Sequence, residues 1–464
     1  MINKYNGHIN KYSSGQGVIP YRWYSPRAAR HDSVKLRSRQ YSLDERRSDA
    51  QAVCLYFARV IIALRCVYIS ELFYWKDVVS FALNIFVQGY FFGGKVMSDE
   101  EYMRLAMELA KKGCGFTSPN PMVGAVIVKD GKIIGQGWHE RYGQAHAERN
   151  ALASCKESPK EATMYVTLEP CCHHGKQSPC TDAIIEAGIR RVVVGSKDPN
   201  PLVAGKGIEI LRKHRIEVTE HVLREECDKI NEVFFHYITT GRPFVVMKYA
   251  MTLDGKIAAY TGASKWITGE IARDHVQTQR HRHRGIMVGV ETVIRDDPLL
   301  TCRMEGGKNP IRIICDTNLR TPMESQIVKT AGQVPTILAT CCTDQEKHSQ
   351  YEEAGCVILC VDKKDGHLDL WQLMEKLGEE KIDSILLEGG GTLNWSALRS
   401  GIVQKVQAYI APKLLGGQTA KTPVEGQGVI SPDLAFYLKN STVERLGEDI
   451  LIESEVVSDV HRHR

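Results

Sequence analysis

Two short runs in this 464-residue chain carry side chains that could hold a metal and move a proton. The first is His146-Ala147-Glu148. The second opens with Glu169-Pro170-Cys171-Cys172-His173-His174 and closes at Cys180. One imidazole and two thiolates leave a fourth position on zinc for water, and the metal draws that water's pKa toward neutrality for attack on an amine-bearing ring carbon. The departing ammonia needs a proton, which a carboxylate outside the metal's ligand set can carry. Glu148, just past His146 at the start of a helix, fits that role. The common deaminase signature has two residues between its cysteines, whereas eight lie between Cys171 and Cys180, so Cys172, His173 and His174 compete for the metal. A His-x-Glu triplet by itself is usually structural. Joined to Pro-Cys and to a second cysteine before a helix, it points to zinc.

A second chemistry is written near the other end. The apolar run Ser384–Glu388 leads into Gly389-Gly390-Gly391-Thr392, and a helical pattern follows over Leu393–Arg399. Strand, glycine turn and helix N-terminus together make a phosphate cradle, because free backbone N–H groups and the helix dipole favour anions and glycine lets them approach. The pattern is not the G-x-G-x-x-G fingerprint, and glycine triplets are common in turns.

The elements that must position these groups alternate. Glu100–Lys112 has apolar residues at helical spacing, with Gly113 and Gly115 after it. Val123–Lys129 and Lys132–Trp138 read as strands joined by a hairpin at Asp130-Gly131. Helix 145–155, strand 163–168, helix 180–188 and strand 191–195 continue a layered α/β domain. Gly241-Arg242-Pro243 marks a linker. Strands are then expected at Phe244–Ala250, Gly285–Val290, Ile311–Asp316, Thr336–Ala339, Cys356–Cys360, Ser384–Glu388 and Val406–Ile410, giving a second α/β sheet. The basic clusters Arg280–Arg284 and His461–Arg464 lack interleaved aromatics and read as solvated charge rather than an RNA surface.

The length suits two or three domains rather than one. Apolar content of 43% supports large cores and excludes a disordered or collagen-like chain. A net charge of +5 does not require nucleic acid and suits a phosphorylated small molecule. The polar start Met1-Ile2-Asn3-Lys4 lacks the apolar core of a signal peptide, so the 14 scattered cysteines are expected in a reducing, cytoplasmic setting. The apolar run ending in Val78–Phe92 is interrupted by Lys76 and Asp77 and leaves only about 17 residues, marginal for a bilayer span. No membrane partner is expected, nor nucleic acid; a homo-oligomer is.

Ser118-Pro119-Asn120-Pro121, Val123-Gly124-Ala125-Val126, His146-Ala147-Glu148, Thr167-Leu168-Glu169-Pro170-Cys171, His173, Gly175-Lys176 and Asp198-Pro199-Asn200-Pro201 resemble the bifunctional riboflavin-biosynthesis deaminase/reductase family. So do Met251–Lys256, Ser264–Thr268, Gly289, Thr292-Val293, Asp296-Asp297-Pro298, Leu300-Thr301, Arg303 and Leu387–Gly391. The resemblance implies an α/β chain: a cytidine-deaminase-like zinc domain over 97–240, a dihydrofolate-reductase-like α/β domain over 243–456, and a tail at 457–464. It implies zinc on His146, Cys171 and Cys180, Glu148 as proton carrier, and a substrate pocket of Asn120, His139, His173 and Lys176. It implies NADPH on Ala250, Trp266, Thr292, Asp296, Thr317, Gly390, Gly391, Thr392, Leu393, Asn394, Trp395 and Ser396, and a sugar-phosphate site of Ser264, Arg280, Leu300, Arg303 and Glu388. The implied reactions are hydrolytic deamination of a phosphoribosylaminopyrimidine and NADPH-dependent reduction of its ribosyl group to ribityl. The chain departs from the family at Cys172, often serine, at Gln177-Ser178, usually Thr-Pro, and at Glu291, often a small residue. One rival reading is a nucleoside or transfer-RNA zinc deaminase fused to an unrelated module, without NADPH dependence. Another is a membrane-tethered or RNA-binding regulator that uses the basic N-terminus.

Residues 1–96 read differently. Gly17–Trp23, Val34–Leu36 and Ser38–Arg47 can be encoded by runs resembling the FMN-sensing RNA leader of bacterial riboflavin operons, and Gly93–Val96 by a purine-rich ribosome-binding site. Residues 1–96 are therefore expected to be an upstream extension, absent from the native protein. Peptide mapping of protein from its natural source should begin at Met97; peptides from 1–96 would refute this.

Overall fold

The computed structural model describes residues 97–173, 178–200 and 203–457. The expected extension over 1–96, most of the tail and the apolar run 78–92 lie outside them.

The first half follows from its local signals. α1 (Asp99–Lys111) starts at a capping box: Glu101 N donates to Ser98 Oγ at 3.3 Å and Ser98 N to Glu101 Oε2 at 2.7 Å. β1 (Gly124–Lys129) and β2 (Lys132–Trp138) pair antiparallel around Asp130 (φ 49°) and Gly131 (φ 75°), a turn with two left-handed residues. There follow α2 (Ala147–Ala153), β3 (Thr163–Leu168), α3 (Cys180–Glu186), β4 (Arg191–Ser196), α4 (Lys206–Lys213) and β5 (Glu217–Thr219), then α5 (Arg224–Ile230) and α6 (Glu232–Thr240). The sheet order is β2-β1-β3-β4-β5, with β3, β4 and β5 parallel. Side chains alternate across β1, so Ala125 and Ile127 enter one core and Val126 and Val128 the other.

The second half begins after 241–243 with β6 (Phe244–Thr252), α7 (Glu270–Arg282), β7 (Gly285–Gly289), α8 (Val290–Asp296), β8 (Ile311–Cys315), α9 (Gln326–Lys329) and β9 (Thr336–Thr340). It continues with α10 (Gln345–Glu353), β10 (Val357–Cys360), a small ribbon of β11 (Lys363–Lys364) and β12 (His367–Leu368), α11 (Leu370–Glu379), β13 (Ser384–Leu387), α12 (Gly391–Arg399), β14 (Lys405–Ala411), β15 (Leu438–Leu446) and β16 (Asp449–Val456). Its nine-stranded sheet runs β10-β9-β8-β7-β13-β6-β14-β16-β15, parallel as far as β14 and antiparallel beyond. Ile313 faces one core and Ile314 the other, the near-continuous apolar pattern of a sheet covered on both sides. The β15–β16 hairpin was not in the expected strand set.

A polar joint ties the halves together. Lys405 Nζ contacts Glu232 Oε2 at 2.6 Å and Glu453 Oε1 at 3.2 Å, while Arg282 Nη2 reaches Glu232 Oε1 at 3.2 Å. The reading of Arg280–Arg284 as solvated is corrected here. Arg280 lies against Glu388 with its side chain 13% exposed, and His281 and His283 are buried. Glu388 and the Cys114 carbonyl, the partners of Arg280 and His281, come from distant segments, so the local run looks like free charge.

Gly124 is a tight position, since a β-carbon there would strike the Ala106 carbonyl oxygen and Ala110 N of α1. Gly124→Ala should lower stability by about 1–3 kcal/mol, read as an earlier denaturant midpoint with the slope unchanged.

Candidate active sites

Three segments deliver the metal donors. His146 is the N-cap of α2, Cys171 follows β3 in a loop, and Cys180 is the first residue of α3. The loop closes on itself, with Cys180 N and Thr181 N donating to the Cys171 carbonyl at 3.0 and 3.2 Å. Cys171 Sγ lies 3.5 Å from His146 Nδ1 and Cys180 Sγ lies 3.4 Å from it, and all three donors fall within 4.8 Å of one another. One imidazole nitrogen and two sulfurs are a donor set that zinc takes. Cys172 is not in this group. Hydrogen bonding from Cys180 and His146 lowers the Cys171 thiol.

Glu148 sits in the first turn of α2, 3% exposed and outside the donor group. Burial and the Cys171 charge push its carboxyl up to about 7. Glu169, the other buried acid of the motif, is spent on the backbone: it accepts from Gly205 N at 2.9 Å, Gly207 N at 3.1 Å, Asp198 N at 3.3 Å and Ile208 N at 3.4 Å. That anchors the start of α4 to the metal loop.

His139 is buried, with its ring edge-on to His146 at 5.3 Å. Its Nδ1 faces the Ala145 carbonyl at 3.1 Å and so carries the proton; Nε2 then accepts from the Asn120 amide at 3.3 Å. This fixes the Asn120 amide with nitrogen toward His139 and oxygen available to a ligand. His173 is exposed in the loop. Lys176 lies outside the described residues.

In the second half, a cleft of about 560 Å³ opens over the C-terminal ends of the parallel strands. Ser264, Thr292, Asp296, Thr317, Glu388 and the turn Gly389–Leu393 line it, with Ser396. Asn394 is fully buried and donates to the Pro423 carbonyl at 2.8 Å, while its Oδ1 has no partner. No atom would meet a β-carbon at Gly390, so the turn is open toward the cleft. The free N–H groups at the start of α12 and that open turn fit a dinucleotide's pyrophosphate. Ala250, Trp266, Asn394 and Trp395 do not line the cleft: Trp266 is exposed and stacked by Arg273, and Trp395 packs on Phe436.

Glu388 is gripped from two sides. Arg280 Nε and Nη2 reach its two oxygens at 2.8 and 3.1 Å, and Lys248 Nζ lies 3.5 Å from Oε2. Burial would raise its carboxyl, but the Arg280 and Lys248 charges overturn that and hold it at about 2. Arg280 also donates to the Thr301 carbonyl at 3.0 Å, which holds the loop bearing Leu300 and Arg303. Leu300 is buried and Arg303 exposed. Lys248 escaped the sequence reading because it lies in an otherwise apolar strand; a lone lysine there is the signal that could have found it.

Together the two sites define a zinc-dependent deaminase joined to a dihydrofolate-reductase-like reductase that uses a nicotinamide dinucleotide. Residues 96–196 match the cytidine and deoxycytidylate deaminase zinc-binding region, and residues 243–452 match the RibD C-terminal domain. The chain belongs to the RibD family of riboflavin biosynthesis proteins. It is 55% identical over 364 residues to the RibD protein of Actinobacillus pleuropneumoniae, covering 78% of this chain and 97% of that one. It is 44% identical to that of Aquifex aeolicus over 355 residues, 76% of this chain and 97% of the relative. The solved Thermotoga maritima deaminase/reductase is 39% identical, with a TM-score of 0.69 over 77% of this chain and 99% of that one. Acinetobacter baumannii RibD gives 36% and 0.70 over the same shares. The chain is thus a bifunctional deaminase/reductase of riboflavin biosynthesis with zinc and NADPH as cofactors. Among the described residues no helix is long and apolar enough to cross a membrane.

Glu388 has a depressed pKa, so its contribution to stability is present above its ordinary value of 4.5 and is lost as pH falls through about 2. Glu388→Gln leaves two largely buried cations without their counter-charge and should cost about 3–5 kcal/mol at pH 7. The gap from wild type should hold down to pH 5 and close toward pH 2 in denaturant titrations.

Proposed function

We propose that the chain hydrolyses the ring amine of a diaminohydroxyphosphoribosylaminopyrimidine to give 5-amino-6-(5-phosphoribosylamino)uracil, then reduces the ribosyl group of that product to ribityl. Those are the substrates named for the solved Thermotoga maritima relative. The observation that carries the reading is the convergence of His146, Cys171 and Cys180 within 4.8 Å, with Glu148 buried beside them and outside the donor set.

His146, Cys171 and Cys180 hold zinc, which when bound supplies the Lewis acidity that makes water a nucleophile at neutral pH. Glu148 takes a proton from the attacking water and returns it to the departing amine. Asn120 presents its amide oxygen to the pyrimidine edge, held by His139, and His173 and Lys176 serve the substrate's phosphate side. Water enters, ammonia leaves, and the ring carbon keeps the oxygen.

In the second half, the Gly390–Ser396 turn and helix start, with Thr292, Asp296 and Thr317, seat NADPH, which supplies the reducing equivalent. Ser264, Arg280, Leu300, Arg303 and Glu388 hold the sugar phosphate, with the guanidinium fork of the exposed Arg303 matched to phosphate oxygens while Arg280 stays on Glu388. Lys248 carries a further exchangeable proton 3.5 Å from Glu388.

The enzyme works in the cytoplasm, a setting that suits described cysteines none of which forms a disulfide with another. It is a homo-oligomer, and the exposed edge strand β15, with Leu438 and Val443 outward, supports that.

Glu148→Gln should keep its zinc and lose about 10²- to 10⁴-fold in ammonia release, while still oxidising NADPH on the deaminated intermediate. Cys171→Ser should lose zinc as well. Normal ammonia release from the glutamine variant would refute the proton-carrier role.

A further inference from the structure

The cofactor cleft ends in a charged corner that the reaction does not use. The cleft crosses four neighbouring strands in the order β6, β13, β7 and β8. Three inter-strand steps span about 14 Å, enough to put the two ends of a dinucleotide over different strands. Glu388 and Ser264 mark the reducing end and the Gly389–Gly391 turn the middle. The β7–β8 end is therefore left for the adenosine half. There the cleft is walled by Glu291 and Arg295 of α8 and by Asn318 and Arg320 after β8.

Glu291 stands between two cations. Arg320 Nη2 touches its Oε1 at 2.8 Å and Arg295 Nε lies 3.9 Å from its Oε2. The Arg320 backbone is fixed from below: its N–H donates to Oδ2 of the fully buried Asp316 at 2.6 Å, and Thr321 N–H donates to the same oxygen at 2.6 Å. The guanidinium stands on a rigid base and is 50% exposed at the rim. An ion pair this open to water is weak, so a better anion can replace Glu291. A phosphate dianion offers a guanidinium fork two oxygens and more charge than a carboxylate. The remaining lysine of the cleft, Lys421, is committed elsewhere: it pairs with Glu425 at 3.4 Å and its carbonyl takes the Ile257 N–H, toward β6.

We propose that Arg320 reads the 2′-phosphate that separates NADPH from NADH, and that Glu291 is the carboxylate it must leave to do so. Glu291 is thus a built-in competitor that weakens the grip on the phosphorylated cofactor and eases its release. The proposal rests on the reading of the cleft as the dinucleotide site.

The test is calorimetric binding to the whole enzyme of adenosine 2′,5′-bisphosphate and of adenosine 5′-monophosphate, which lacks the 2′-phosphate. Arg320→Ala should weaken the bisphosphate about 10- to 100-fold and leave the monophosphate unchanged, with Arg320→Lys in between. Glu291→Gln should tighten the bisphosphate alone by about two- to fivefold, a gain that disappears in the double variant with Arg320→Ala. Lys421→Ala should not alter the ratio of the two affinities. Equal loss of both ligands, or of neither, in Arg320→Ala would overturn the role of Arg320, and no change in Glu291→Gln would overturn the competitor. If wild type bound neither ligand, the dinucleotide assignment of the cleft would itself fall. Retained zinc and an unchanged melting temperature establish that each variant is folded.

Discussion

A loop nine positions long has to bring two sulfurs to one point, and the deaminase half is organised around that requirement. Cys171 leaves the end of β3 and Cys180 begins α3, so the sulfurs meet only if the intervening chain folds back. It does so through its backbone: the Cys171 carbonyl takes both Cys180 N–H and Thr181 N–H. Glu169 completes the arrangement by holding four backbone N–H groups around the start of α4. A carboxylate so fully engaged with the chain has no free lone pair for substrate, unlike Glu148, which is buried beside the metal donors and outside their set.

The reductase half answers a different constraint. It must keep an ionised carboxylate largely buried at the wall of the cleft. Arg280 and Lys248 solve the desolvation of Glu388 by surrounding it with opposite charge. Two cations against one carboxylate leave this wall of the cleft net positive.

Strands were legible where their two faces meet two cores. Lys132–Trp138 and Thr163–Leu168 have the bounds their residues suggest, because apolar runs and the Asp130-Gly131 turn leave little choice. Leu438–Leu446 was not legible: all but its last residue are exposed at the sheet edge, so no burial pattern marks it. Metal donors were legible as residue types and ambiguous as a set. Only three-dimensional closure separates Cys171 from its neighbour Cys172. Arg280 could be carried over from a resemblance, but its partner Glu388 lies 108 positions away, and no local pattern encodes such a pair.

Helix α7 gives successive residues to different halves of the molecule. Arg280 turns to the reductase cleft, while His281 offers Nε2 to the Cys114 carbonyl at 3.0 Å and takes Lys308 N–H on Nδ1 at 2.9 Å. Phe116 lies edge-on to the same imidazole, and a β-carbon on Gly115 would collide with it. A segment with two clients resists specialisation for either. Any tilt of the helix that shifts Arg280 against Glu388 also shifts His281 against the Cys114–Phe116 turn, so the two halves cannot settle independently there. Cutting the gene between them would leave each product with an unfinished side.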